Sequence, residues 1–228
     1  DRITRHQGDL LDQRSLVDAL RASEPSEIYN LAAMSFVAVS WIQPTLTAEF
    51  TGVRATRGSN LMLMNSDVIP IAPGWLSRLR AALATCGPAM QTAAVGPKLL
   101  FDDGSLQHAG LTFERDIENR WYNTHFFKGY PRDWPTANVA RSVPGITGAA
   151  MLMPRAVYED IGGFSEDYVV GDYEDSDLCL KIRSAGFDIR YEPRAELYHF
   201  ERRSIDLHAG YVGTAASAYN RRLHAARW

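Results

Sequence analysis

Residues 60–67 read Asn60-Leu61-Met62-Leu63-Met64-Asn65-Ser66-Asp67. The run Leu61 to Met64 is apolar without a break and is bounded by polar residues, which is the length and pattern of a buried strand. Asn65 and Ser66 supply turn chemistry at its end, so the strand stops there and leaves the carboxylate of Asp67 at its carboxyl end. Met62 and Met64, like Met151 and Met153 further on, alternate along apolar stretches and read as core filling.

Working outward, strands and helices alternate. On the amino-terminal side, Arg2 to Gly8 predicts a strand and Ser15 to Arg21 a helix after the candidate cap Asp12. Glu27 to Ala33 predicts a short buried strand, and Thr45 to Arg57 a helix weakened by Gly52. On the carboxyl-terminal side come a helix near Gly74 to Cys86, a strand near Ala93 to Phe101 and a turn at Asp102-Asp103-Gly104. Phe113 to Arg141 mixes aromatics and charges without a period and reads as a long loop or subdomain. Val143 to Pro154 is an apolar strand region, and a short helix from Ala156 to Ile161 breaks at Gly162-Gly163. Asp175 to Ala185 then predicts a helix and Phe187 to Tyr191 a strand. The alternation implies an α/β fold with a mostly parallel sheet flanked by helices.

Composition narrows the function. With 228 residues, 46% apolar, the chain can bury a real core, and a net charge of -3 argues against a general nucleic-acid binder. The late basic residues, Arg202-Arg203 and Arg221-Arg222 through Arg227, read as a solvated helix face. Cys86 and Cys179 lack the spacing of a disulfide framework or a zinc site, which fits a reducing, cytoplasmic setting. No stretch reaches the ~18 apolar residues of a membrane span, and Asp1 to Arg5 is no signal peptide.

Two resemblances meet near residue 57. Before it, Gly8-Asp9-Leu10, Glu27-Ile28-Tyr29-Asn30-Leu31-Ala32-Ala33, Ser35, Val37-Ala38-Val39-Ser40, Gln43-Pro44 and Thr51-Gly52-Val53 resemble the extended short-chain dehydrogenases, and within them the GDP-mannose 4,6-dehydratases. The resemblance implies that Asp9 and Leu10 would lie against the adenine of NADP. The glycine-rich turn that seats the pyrophosphate on a helix N-terminus is expected before Asp1, and the family's catalytic tyrosine and lysine are expected after residue 57. Tyr29 and Tyr122 have no lysine four residues on. The segment 1–57 is therefore expected to be a grafted β-α-β-α scaffold, with NADP chemistry unlikely.

After residue 57 the chain resembles family 2 inverting glycosyltransferases of the GT-A fold. The resemblance is carried by Asn65-Ser66-Asp67, Val95-Gly96-Pro97-Lys98-Leu99, Asp103 to Gly110, Thr147-Gly148-Ala149, Gly162-Gly163-Phe164, Tyr173 to Cys179 and Tyr198-His199. It implies a nucleotide-sugar donor and a glycan or lipid-linked acceptor. A diphosphate leaving group develops negative charge, which calls for Mg²⁺ or Mn²⁺ on hard ligands. Asn65 and Asp67 match the family's DxD position at the donor diphosphate, with the first acid replaced by Asn65. Asp67 is the expected metal ligand, and His199 matches a histidine that approaches the metal or diphosphate; a hydrogen-bonded histidine at a strand end is the equal alternative.

Asp175 matches the catalytic aspartate that takes the acceptor's proton, and Glu174 would hold an acceptor hydroxyl. Acids at this density are expected to raise at least one pKa among themselves, with Asp177 capping the helix. Thr147, Gly148 and Ala149 would lie under the acceptor, or else form a tight turn in a core strand. Gln107, His108 and Trp121 are weaker acceptor-side candidates. The resemblance further implies that the half of the family's fold that binds base and ribose is replaced by residues 1–57, impairing donor affinity. The strands of that segment would re-pair directly or be completed in a homodimer. Three readings stay open: a glycosyltransferase (residues 58–228 its catalytic half, merged with 1–57), a recombined chimera that folds without catalysis, and an NADP-binding remnant.

Overall fold

The computed structural model describes residues 57–65, 67–85, 90–169, 173–200 and 215–228, together with Asp18 and Ala22. The expected elements of residues 1–56 and the direct re-pairing of their strands lie outside the described residues, as do Cys86, Arg202 and Arg203.

Among the described residues nine strands run in chain order: β1 (Asn60–Met64), β2 (Val68–Pro70), β3 (Thr92–Leu100), β4 (Leu106–His108), β5 (Leu111–Arg115), β6 (Trp121–His125), β7 (Arg141–Ser142), β8 (Ala150–Pro154) and β9 (Asp188–His199). The helices whose bounds lie among the described residues are α1 (Trp75–Leu83), α2 (Arg155–Asp160), α3 (Glu174–Ser184) and α4 (Ala215–Arg227), with a 3-10 turn at Pro135–Asn138.

The main sheet has the order β1-β8-β3-β9-β2, with β4 added to β3 and β7 to β9. The α/β class and the flanking helices agree with expectation; the strand directions do not follow a mostly parallel sheet. Among the described strands only β3 and β9 run parallel, while the β1–β8, β2–β9, β3–β4, β3–β8 and β7–β9 ladders are antiparallel. A parallel pair needs a long crossover, and β3 and β9 are separated by enough chain, including α2 and α3, to make one. The sheet is mixed.

Every residue of β3 is buried, as befits a strand covered on both faces. Its Pro97 carries no amide to donate, and β9 has its own Pro193. The ladder between them jumps there, from Pro97 opposite Glu192 to Lys98 opposite Glu196. β9 therefore does not stop near Tyr191 but bulges over Pro193-Arg194-Ala195 and continues to His199. The Glu192 carboxylate accepts the Arg194 amide at 2.9 Å inside the bulge, and Arg78 of α1 donates to the Arg194 carbonyl at 2.6 Å. This continuation delivers His199 to the end of the sheet.

The core gathers on both sheet faces. Met151, Met153, Leu178, Cys179, Ile182 and Tyr191 pack in the largest cluster, so Met151 and Met153 fill the core as expected. Met62 and Met64 pack from the other face against Leu99, Ala150 and Leu197. α1 lays Leu79 and Ala82 over Val95 and Leu152, and truncating Leu79 to Ala would cost about 2–5 kcal/mol. Lys98, with almost no exposed surface, is held by Glu196 at 2.8 Å and Asn138 at 2.5 Å, which satisfies a charge that burial alone would penalise.

The stretch expected to be a long loop or subdomain contains a hairpin. β5 and β6 pair from Leu111↔His125 to Arg115↔Trp121, and the Asp116 carboxylate accepts the amides of Glu118 and Arg120, both at 2.9 Å, to close the turn. Most residues of the hairpin are half-buried, so the two-residue hydrophobic alternation that betrays a strand is blurred by charges on either face.

Candidate active site

Asp67 and His199 are brought together by strand pairing. Val68 lies opposite His199 in the β2–β9 ladder, and the Phe200 amide donates to the Asp67 carbonyl at 3.1 Å. His199 Nε2 then stands 3.4 Å from Asp67 Oδ1. The other ring nitrogen, Nδ1, is 2.7 Å from Gln107 Oε1, while Gln107 Nε2 donates to the His199 carbonyl at 3.1 Å. A carbonyl only accepts, so it fixes the orientation of the Gln107 amide and points Oε1 at the ring. The proton of a neutral His199 accordingly belongs on Nδ1, leaving the Nε2 lone pair toward Asp67. When the ring is protonated instead, its hydrogen bond to Asp67 holds that carboxyl below its usual value; burial opposes this, and the imidazolium charge adds to it.

A divalent cation fits this pair as a partial ligand set. Among the described residues no group of three or more His, Cys, Asp or Glu is placed to hold a metal; the pair itself offers one carboxylate and one imidazole. Hard cations of the Mg²⁺ type are commonly held by one or two carboxylates, with phosphate oxygens and water completing the shell. Asn65, at the end of β1, donates its amide to the Ala149 carbonyl at 2.9 Å, tying the Asp67 turn to the segment 147–149.

That segment is bonded in turn to Asp175. The Gly148 amide donates to Asp175 Oδ2 at 3.0 Å, the Thr147 amide to His108 Nε2 at 3.4 Å, and the Ala149 amide to the Thr147 hydroxyl at 3.2 Å. Asp175 Oδ1 accepts the Ser176 amide at 2.7 Å, and the Asn123 side-chain amide of β6 bonds the Ser176 hydroxyl. Val143 to Ala149, expected as strand, is mostly irregular here, and only Ala150–Pro154 forms β8; the amides of Thr147, Gly148 and Ala149 are used by these side chains. Glu174 is the first residue of α3, beside the left-handed Tyr173 that opens it.

Asp177 does not cap the helix. Its side chain is fully buried and accepts from Ser165 at 2.5 Å, Trp228 Nε1 at 2.9 Å, Arg227 at 3.1 Å and the Tyr168 hydroxyl at 3.3 Å. Burial by itself would raise its pKa, but the hydrogen bonds from Ser165, Trp228 and Arg227, with the Lys181 charge, outweigh it and hold the carboxyl below its usual value. For Asp177 the expected upward shift from crowded acids is thus reversed.

The late basic residues are likewise more than a solvated face: Arg221 pairs with Asp116 at 2.5 Å and Arg227 with Asp167 at 2.5 Å. Gln107, set aside in the sequence, proves to be the partner that orients His199; its place beside His108 was the only signal. Trp121 stacks under Arg115 at 4.3 Å, as a packing residue of the hairpin. Cys179 is buried, with its thiol pushed up in pKa by desolvation.

Comparison with known proteins separates the two parts of the chain. Residues 1–59 match the family model described as GDP-mannose 4,6 dehydratase, and residues 43–212 match that of glycosyltransferase like family 2. Residues 43–59 fall within both matches. An uncharacterized protein, y4gI, of Sinorhizobium fredii is 33% identical over 153 residues, covering 65% of this chain and 16% of that protein. A GDP-mannose 4,6 dehydratase of Drosophila melanogaster is 45% identical over 56 residues, 25% of this chain and 14% of that one. A crystal structure of GalNAc-T7 with UDP, GalNAc and Mn²⁺ aligns with a TM-score of 0.48 and 14% identity, covering 64% of this chain and 28% of that one. The chain spans less than a third of the length of each of these proteins. No helix among the described residues is long and apolar enough to cross a membrane. With the family 2 match covering most of its length, the chain belongs to the glycosyltransferase like family 2.

Proposed function

We propose that this domain transfers a sugar from a nucleotide-diphosphate donor to a glycan or lipid-linked acceptor with inversion at the anomeric carbon. The observation that carries the reading is the Asp67–His199 pair, 3.4 Å apart, with His199 oriented by Gln107. Asp67 and His199 would hold Mg²⁺ or Mn²⁺, and Asn65 would border the donor diphosphate. Such an ion, when bound, neutralises the charge that develops on the leaving diphosphate. Asp175, held by the Gly148 amide, is the base that takes the proton of the acceptor hydroxyl as its oxygen attacks the anomeric carbon and the diphosphate departs. Glu174 would hold a neighbouring acceptor hydroxyl, and Thr147, Gly148 and Ala149 would form the floor beneath the sugar.

Residues 1–57 serve in this reading as scaffold beside the catalytic half, without NADP chemistry, and a second copy of the chain would complete their sheet edges in a homodimer. A cytoplasmic setting fits the buried free thiol of Cys179. The alternative of a folded but inactive chimera is favoured by one feature, the single carboxylate of the Asn65-Ser66-Asp67 turn.

Thermal shift of the full chain with GDP-, UDP- and dTDP-sugars, with and without Mn²⁺, tests the reading. A nucleotide-sugar shift that needs Mn²⁺ and disappears in Asp67→Ala is the expected result. Absence of any nucleotide shift, or one indifferent to Asp67→Ala, overturns it, and a shift with NADP alone assigns the binding to the first segment.

A further inference from the structure

The three consecutive amides of Thr147, Gly148 and Ala149 all donate to side chains, and the first of them uses a ring nitrogen, His108 Nε2. A nitrogen that accepts is unprotonated, so the proton of a neutral His108 sits on Nδ1. That atom lies 3.0 Å from His125 Nδ1, with the two rings edge to face at 79°. Of two facing nitrogens only one can carry the shared hydrogen, so His108 donates and His125 accepts. The chain Thr147 N–H to His108 to His125 then has a single consistent direction, with the His125 proton on Nε2. His108 has no exposed surface, and burial first, with the nearby charges of Lys128 and Arg141, favours its neutral form. β4 and β6 fix the two rings from separate strands.

We propose that His108 is a positioning residue for the acceptor segment: through the Thr147 amide, and with its tautomer set by His125, it holds residues 147–149 at the height from which Gly148 meets Asp175. The proposal rests on the reading of that segment as the acceptor floor. A displaced floor moves the acceptor hydroxyl relative to the base, and a misplacement of about 1 Å can cost on the order of 10²-fold in rate. The tautomer itself is a property of the folded protein and does not depend on activity.

Two measurements test it on the full chain. Long-range ¹H–¹⁵N correlation is expected to show His108 protonated on Nδ1 and bare on Nε2, and to keep that pattern in His125→Asn, whose side-chain oxygen replaces the acceptor without touching Thr147. A ring protonated on Nε2 overturns the proposal. In kinetics, His108→Gln sets an amide oxygen near the Nε2 position and keeps the Thr147 bond, whereas His108→Asn mimics only Nδ1 and loses it. Transfer to acceptor is expected to fall on the order of 10²-fold in His108→Asn, with acceptor KM raised, and to recover in His108→Gln. Equal activity of the two variants overturns the positioning role. If the parent protein neither transfers nor hydrolyses donor, the transferase reading fails while the tautomer result still stands or falls by itself.

Discussion

Asp175 is held by both of its carboxylate oxygens: Oδ2 accepts the Gly148 amide at 3.0 Å and Oδ1 the Ser176 amide at 2.7 Å. The bond to Gly148 joins the first turn of α3 to a segment that also reaches His108 and, through Ala149, the amide of Asn65. A side chain fixed from two elements loses little further freedom when a substrate arrives, which is what a base needs to be in place before reaction.

Replacing Asp175 by Asn keeps the Gly148 hydrogen bond available through the amide oxygen but removes the proposed base. Transfer is expected to fall about 10²- to 10⁴-fold with donor binding unchanged. Initial rates at saturating donor, alongside donor titration by calorimetry, check both halves of the expectation.

A methyl group on Gly148 would sit 3.2 Å from Asp175 Cβ, so the helix or the segment must give by a few tenths of an ångström. Gly148→Ala is expected to raise acceptor KM and lower transfer while leaving donor hydrolysis intact. A crystal structure of the variant would show the displacement between the segment and α3.

Gln107 orients His199 and is not itself one of the proposed metal ligands. Gln107→Leu removes the partner of Nδ1, and Mn²⁺ affinity in the presence of nucleotide diphosphate is expected to weaken about 10- to 100-fold. The measurement is a Mn²⁺ titration followed by electron paramagnetic resonance or calorimetry; the Asp67→Ala protein serves as the zero.

Trp228 Nε1 donates to the buried Asp177 carboxylate at 2.9 Å. Trp228→Phe deletes that donor and little else, and should lower unfolding free energy by about 1–3 kcal/mol. Urea unfolding gives the number, and unchanged stability would mean that α4 is held by its other contacts, among them Asn220 on the Val169 backbone and Arg221 on Asp116.

Two buried histidines set an acid limit on stability. His108 is kept neutral by burial and surrounding positive charge; His224 lies between Phe113 and Tyr173, its pKa lowered chiefly by burial against the opposing pull of Asp177 and Asp175. Both folded pKa values lie below the ordinary ~6.5, so the unfolded chain takes up protons first as the pH falls. Their contribution is complete above about pH 6.5 and is lost as pH drops from there toward the folded pKa values. Urea unfolding at pH 7.5 and pH 5.5 should show the loss, and His224→Phe should make the slope shallower.

Much of the site could be read in the order of residues because it lies at the ends of strongly patterned elements. Leu61 to Met64 announces a strand that must end before Asp67, and the run Leu178, Leu180 and Ile182 announces a helix that must begin near Asp175. The hairpin at Leu111 to His125 escaped notice because its half-buried faces carry charges, which hide a two-residue period. β9 was read too short because Pro193 and three charged residues follow Tyr191, a pattern that ordinarily ends a strand and here makes a bulge. Asp177 looked like a cap because first-turn acids usually are one, and only the arrival of α4 from some 40 residues downstream buries it.

The sequence by itself determined the α/β class, the two family resemblances with their meeting point near residue 57, and the carboxylates on which a transferase would depend. Local hydrophobic period and short motifs carry that information within a few residues. Tertiary structure alone decided that the sheet is mixed, that His199 faces Asp67 with Gln107 behind it, and that Gly148 and His108 brace the segment beside Asp175. Those relations join strands and helices 27 to 132 positions apart, and no local pattern specifies which distant side chain meets which backbone amide. That choice is made by strand register and packing, where a slip of one residue would turn every one of these groups to the opposite face.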